Sequence, residues 1–246
     1  MSIFKECDIR GIFPAEIDEE KTYLIGRAFA SSLPAGSRIV VGGDVRKSTP
    51  LLKEALIKGL LESGGEVVDL GVVPTPLLYF AVEKLQGEGG IMVTASHNPP
   101  EYNGLKITWG NAPPTPQDIA NLAKRVEKGN FRSSKGKKRY FQDLDRDYLD
   151  FLSSLVPLPR RPLRVVVDCG SGCYSDLAPH FLENLGYEVI PLFCEKDGAF
   201  PHRSPNPSKK DNLTILSHKV REERADSGIA FDGDGDRVVF ADEKGK

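Results

Sequence analysis

The sequence predicts an α/β protein of two repeated α/β domains, each a mixed, largely parallel sheet flanked by helices. Two observations point there. Short β-branched runs alternate with segments of helical period, and the cycle occurs twice. Between the cycles, Pro157-Leu158-Pro159-Arg160-Arg161-Pro162 punctuates the chain. The domains are therefore expected over residues 1–156 and 157–246. A length of 246 residues suits two ordinary domains.

In the first cycle, Arg38–Gly42 is a β-branched strand, and Leu51–Ser63 sets Leu52, Ala55, Leu56, Leu60 and Leu61 on one helical face. Gly64-Gly65 stops that helix. Glu66–Leu70 reads as a strand, Pro76–Leu85 as a helix and Gly90–Thr94 as a strand running directly into Ser96. Ser133–Arg139 is basic, and Asp143–Leu152 reads as a connecting helix. The second cycle repeats the order. Leu163–Asp168 is a strand, Asp176–Leu185 a helix with apolar Leu177, Ala178, Phe181, Leu182 and Leu185, and Tyr187–Phe193 a strand. Asn212–Glu223 is a helix, and the strands Gly228–Phe231 and Val238–Ala241 flank an acidic loop. Ligand groups in such sheets gather at the carboxyl ends of strands, which is where Ser96 and that loop fall.

Composition narrows the function. Hydrophobic content of 39% and charged content of 28% are those of a globular protein. A net charge of −2 argues against a general nucleic-acid binder. No apolar run reaches bilayer-spanning length, so no membrane partner is expected, and the N-terminus shows no basic-then-apolar signal. The cytoplasm is the default expectation. Cys7, Cys169, Cys173 and Cys194 lack the paired spacing of a zinc knuckle and read as free thiols.

Two strings carry the chemistry. Thr94-Ala95-Ser96-His97-Asn98-Pro99 presents a serine after a strand, and Asp232-Gly233-Asp234-Gly235-Asp236-Arg237 presents three carboxylates on alternate residues. Glycines between carboxylates permit the tight backbone that lets all three face one hard cation. A phosphoryl group on Ser96 would add a further oxygen ligand. Without that partner, Ser-His-Asn-Pro reads as an ordinary turn. His97 could donate a hydrogen bond to the phosphoryl group, and Asn98 shapes the loop. Arg10 and Arg237 are candidates for phosphate contacts, since guanidinium matches phosphate geometry. Arg46 is a further phosphate-site candidate, more readily a support for the serine loop. Lys106 follows Asn103-Gly104, read as a turn that folds it back toward Ser96. An EF-hand is the rival reading of the acidic string, because Glu243 falls at its twelfth position. Arg237 at the sixth position and strand-like flanks count against it. Mg²⁺, one ion per chain, is the preferred metal.

These strings, with Phe4-Lys5-Glu6-Cys7-Asp8-Ile9-Arg10-Gly11, Gly43-Asp44-Val45-Arg46, Thr75-Pro76, the continuation to Lys106 and Pro205-Asn206-Pro207, lie in the order found in the α-D-phosphohexomutases. The chain resembles their phosphomannomutase/phosphoglucomutase branch. The resemblance implies an isomerase that moves phosphate between C1 and C6 of a hexose through phospho-Ser96 and a hexose 1,6-bisphosphate. It implies general acid/base work by Lys106 assisted by Arg10, and metal binding by Ser96, Asp232, Asp234 and Asp236.

Two departures qualify the resemblance. Cys7 stands where the family commonly has tyrosine. The family's sugar-recognition string and C-terminal phosphate-anchoring loop are not among these residues, so the chain looks like the first two domains of a four-domain enzyme. The expected partners are hexose phosphates and the missing C-terminal domains of the same enzyme, with very low activity for this part alone. A non-catalytic Mg²⁺- or phosphate-binding module and a serine-based phosphomonoesterase are the alternatives.

Overall fold

The computed structural model describes residues 3–141 and 144–246. The chain divides into two compact units, residues 1–95 with 101–142, and residues 96–100 with 143–246.

The first unit contains β1 (Ile9–Ile12), α1 (Glu19–Ser32), β2 (Arg38–Gly43), α2 (Thr49–Glu62), β3 (Glu66–Val72), α3 (Thr75–Lys84), β4 (Gly89–Val93), β5 (Tyr102–Trp109), α4 (Pro116–Lys128) and β6 (Lys137–Arg139). Its sheet runs β1-β5-β4-β2-β3-β6. The β4, β2, β3 and β6 strands are parallel, whereas β5 is antiparallel to both β4 and β1. Side chains alternate across the pleat. Ile39, Val41, Ile91, Val93, Leu105 and Ile9 therefore share one face, packed with Ile25, Phe29, Leu52, Leu56 and Leu122 from α1, α2 and α4. Leu77, Leu78, Ala81 and Val82 of α3 are buried as well, and Leu78 and Met92 both border the space that a Cβ on Gly42 would take. Each fully buried aliphatic side chain contributes about 1.5–3 kcal/mol.

Two helices of this unit were not anticipated, and local signals for both exist. Asp18 caps α1 by accepting the Lys21 N–H at 2.8 Å. Thr115 and Asp118 form a reciprocal capping box before α4.

The second unit contains α5 (Leu144–Leu155), β7 (Arg164–Asp168), α6 (Leu177–Asn184), β8 (Glu188–Leu192), α7 (Thr214–Glu222), β9 (Ser227–Phe231) and β10 (Val238–Ala241). The sheet order is β10-β9-β7-β8, parallel except for the β9–β10 hairpin. Val166, Ala230 and Ala241 pack on Leu216 and Val220 of α7, and Val165 and Val167 on Ala178 and Leu182 of α6.

The strand and helix expectations hold to within a few residues, and the mixed, largely parallel α/β architecture is as expected. The first residue of the connecting helix expected over 143–152, Asp143, lies outside the described residues. Where a boundary was expected near residue 157, the units divide before α5. The reason is packing: Tyr148 of α5 is buried, and its hydroxyl lies 3.1 Å from that of Tyr174 in the second unit. Among the described residues no helix is long and apolar enough to cross a membrane.

Candidate active site

Three carboxylates sit on the turn between β9 and β10. One oxygen from each of Asp232, Asp234 and Asp236 lies within 4.8 Å of the others. The hairpin builds this convergence. The Asp232 N–H donates to the Arg237 carbonyl at 3.1 Å, the Arg237 N–H returns to Asp232 Oδ1 at 3.1 Å, and the Gly235 N–H donates to the Asp232 carbonyl at 3.2 Å. Strands rather than helices flank the loop, which removes the EF-hand reading.

Ser96 joins this cluster within the second unit. Its hydroxyl donates to Asp232 Oδ2 at 2.9 Å and lies 3.4 Å from Asp236 Oδ1. His97 Nδ1 is 3.3 Å from Ser96 Oγ. Ser96 is buried with φ +52°, a left-handed conformation that non-glycine residues adopt at a cost. The glycine between the first two carboxylates is required by proximity. A Cβ on Gly233 would stand 2.9 Å from the Ser96 carbonyl oxygen. Asn98 is half-buried on the same loop.

Asp232 and Asp234 are buried, whereas Asp236 and Arg237 are exposed. Burial pushes the Asp232 carboxyl up to about 7; its neighbours Asp234 and Asp236 push the same way, against the Ser96 hydroxyl and the Arg237 N–H. This donor set suits a hard divalent cation, because three carboxylate oxygens and a serine oxygen leave positions for phosphate and water.

The titration has a sign that can be tested. The folded chain keeps the Asp232 proton up to about pH 7, whereas the unfolded chain releases it near pH 3.8. The metal-free chain therefore loses this group's share of stability as pH rises through that window. A divalent cation bound by these carboxylates would have to displace the proton, so its affinity is expected to climb from about pH 5 to about pH 7 and then level off. Calorimetric titration at fixed ionic strength checks this; an affinity independent of pH over that range would rule it out.

In the first unit, Asp44 organises the end of β2. Its carboxylate accepts from the Arg46 N–H at 3.0 Å, Arg46 Nε at 2.9 Å, Thr49 Oγ1 at 2.6 Å and Thr94 Oγ1 at 2.7 Å. Arg46 also donates to the Tyr102 carbonyl at 3.0 Å, and its side chain is fully buried. That burial fits support of the strand end leading into Ser96 and disfavours direct contact with a ligand.

The Asn103-Gly104 turn is a correction: both residues lie inside β5. Asn103 is buried and donates to Ser48 Oγ at 2.8 Å and Thr49 Oγ1 at 3.0 Å. A Cβ on Gly104 would stand 2.0 Å from the Ile9 carbonyl oxygen, so glycine serves close strand approach here rather than a hairpin. The pleat sets Lys106 and Arg10 on one face, because Arg10 pairs with Gly104, two residues before Lys106. Both are half-buried, and Arg10 forms an ion pair with Asp8.

Sequence reasoning missed Asp44, Asp168 and Arg203. Arg203 Nε donates to Asp168 Oδ2 at 2.8 Å, and its Nη2 donates to the carbonyl of Phe231, the residue before Asp232, at 2.7 Å. Both side chains of this pair are almost wholly buried. Burial pushes the Asp168 carboxyl up more than Arg203 brings it down. Arg203 stands two residues before Pro205-Asn206-Pro207, the one local signal that could have flagged it.

Comparison with known proteins points to one family. The family models for phosphoglucomutase/phosphomannomutase alpha/beta/alpha domains I and II match residues 1–133 and 139–245. The Pseudomonas aeruginosa phosphomannomutase/phosphoglucomutase is 45% identical over 239 residues, which are 96% of this chain and 51% of that protein. The Neisseria gonorrhoeae phosphoglucomutase is 40% identical over 96% of this chain and 52% of its own length. A crystal structure of a phosphoglucomutase/phosphomannomutase family protein from Burkholderia thailandensis superposes with a TM-score of 0.94 at 38% identity, covering 100% of this chain and 55% of that one. The chain thus spans about half the length of the relatives it matches.

Proposed function

Because the chain belongs to the phosphoglucomutase/phosphomannomutase family, we propose that it is the phosphoryl-carrying, metal-binding part of a mutase interconverting hexose 1-phosphate and hexose 6-phosphate. One observation supports this reading above the rest: the buried Ser96 hydroxyl lies 2.9 Å from one member of a three-carboxylate cluster.

Mg²⁺, held by Asp232, Asp234, Asp236 and Ser96, would neutralise charge on the transferring phosphoryl group. The chain's own residues do the rest. Phospho-Ser96 gives up its phosphoryl group as the P–Oγ bond breaks and a bond forms to a free hexose hydroxyl. Lys106, with Arg10 beside it on the sheet face, takes the hydroxyl proton. The bisphosphate reorients, Ser96 attacks its other phosphate, and the proton returns to the departing sugar oxygen. His97 donates to the phosphoryl oxygens, Asn98 holds the loop, and Arg237 meets substrate phosphate. Hexose phosphates are the small-molecule partners, and the relatives' other half is the region to which the resemblance assigns sugar and phosphate anchoring.

Remote contacts supply the binding energy that positions a reacting hydroxyl. These 246 residues by themselves are accordingly expected to accept a phosphoryl group yet turn over hexose 1-phosphate very slowly. The test incubates the chain with hexose 1,6-bisphosphate and Mg²⁺ and follows intact mass and product. Gain of one phosphoryl group with little turnover is the expected result. Failure to gain it favours the non-catalytic module, and steady release of inorganic phosphate from simple esters favours the phosphomonoesterase.

A further inference from the structure

The proposed mechanism uses none of the four cysteines, yet two of them are brought together. Cys169 follows β7 and Cys194 lies two residues past β8, its parallel neighbour. The Cys169 N–H donates to the Leu192 carbonyl at 3.0 Å, which ties the two strand ends together. Phe193 then takes φ +53°, and the Ser171 N–H donates to its carbonyl at 2.8 Å. Past this kink, Cys194 Sγ lies 3.4 Å from the Val167 carbonyl oxygen and 2.9 Å from Cys169 Sγ. Both are free thiols; Cys169 is buried and Cys194 partly exposed. Cys194 is thus the more accessible residue of the two, while Cys169 is shielded and faces its neighbour.

We propose that Cys169 and Cys194 are a reversible dithiol–disulfide pair, oxidised by hydrogen peroxide. The Cys194 thiolate attacks one peroxide oxygen; an S–O bond forms, the O–O bond breaks, and the departing hydroxide leaves as water after taking up a proton. The Cys169 sulfur then attacks the resulting sulfenic acid. An S–S bond forms, the S–O bond breaks, and the hydroxyl leaves as water with the Cys169 proton. Two thiols and one peroxide give one disulfide and two waters, the sulfurs losing the two electrons that the peroxide gains.

The assignment of attacker and resolver follows from the surroundings. The sulfur–sulfur contact with Cys169 holds the Cys194 thiol below its ordinary range, whereas that same contact, with burial, pushes Cys169 up. Neighbouring strand ends already hold the sulfurs close, so bond formation asks for side-chain rotation rather than strand movement. Only Gly170, Ser171 and Gly172 separate Cys169 from Cys173, whose N–H donates to the carbonyl of Gly233 in the aspartate loop at 3.0 Å.

The test uses the chain carrying Cys7→Ser, since Cys7 is exposed and could link two copies. Thiols are counted in denaturant before and after hydrogen peroxide, alongside intact mass. Of the four cysteines, three remain in this variant. The expected count falls from three to one, with a mass loss of two hydrogens and full recovery in dithiothreitol. Adding Cys173→Ser leaves the two-thiol loss unchanged, and adding Cys169→Ser leaves a Cys194 sulfenic acid that dimedone traps. A count that stays at three, or a two-thiol loss that persists in Cys169→Ser or Cys194→Ser, overturns the proposal.

Discussion

Ser96→Ala is expected to abolish phosphoryl uptake from hexose 1,6-bisphosphate while leaving the chain folded. The hydroxyl is the atom the proposed chemistry turns on, and no change of binding restores it. Its loss removes one hydrogen bond to Asp232, a cost of about 1 kcal/mol. Alanine has no greater difficulty than serine with φ +52°. Ser96→Gly separates chemistry from backbone. Glycine relaxes the left-handed conformation and is expected to be as inert as alanine, yet more stable by up to about 1 kcal/mol. Intact mass and a denaturant titration read the two effects independently. Phosphoryl uptake that survives in both variants would place the carrier elsewhere and sink the reading.

Arg203→Leu is expected to give the largest loss of stability. The guanidinium is buried against Asp168 and also donates to the Phe231 carbonyl beside the first carboxylate of the loop. Removing one partner of a buried pair leaves an uncompensated charge and typically costs about 3–5 kcal/mol. Adding Asp168→Asn removes that charge, so the double variant should recover part of the loss, although the Phe231 carbonyl still lacks its donor. Burial already pushes the Asp168 carboxyl up, and without Arg203 it rises further. Protonation then offsets the loss, which should be smaller at about pH 5 than at about pH 8. Urea unfolding of the parent chain and both variants at both pH values is the measurement. A single-variant cost below about 1 kcal/mol would show that the pair does not support the loop.

Both predictions rest on partners of different legibility. Ser96 and the three aspartates could be read from the sequence because each sits in a short string whose residue types imply the chemistry. The three carboxylates sit on the turn between β9 and β10, two strands that the sequence pattern already predicts. Asp168 and Arg203 could not be read this way. They are 35 residues apart, and a charged residue beside a proline-rich string is ordinarily solvated.

By itself the sequence determined the strand–helix alternation from β2 to β4 and from β7 to β10, the placing of both loops at strand ends and the identity of the family. Apolar period, glycine spacing and motif chemistry are local properties, legible within a dozen residues. Only the tertiary structure decided that Asn103-Gly104 continues a strand, because the close approach of Ile9 excludes a Cβ there. It also decided that Asp44 gathers Arg46, Thr49 and Thr94, that α5 packs with the second unit, and that Cys194 meets Cys169. Each depends on which distant side chains burial forces together, and that is settled by packing rather than by any local pattern.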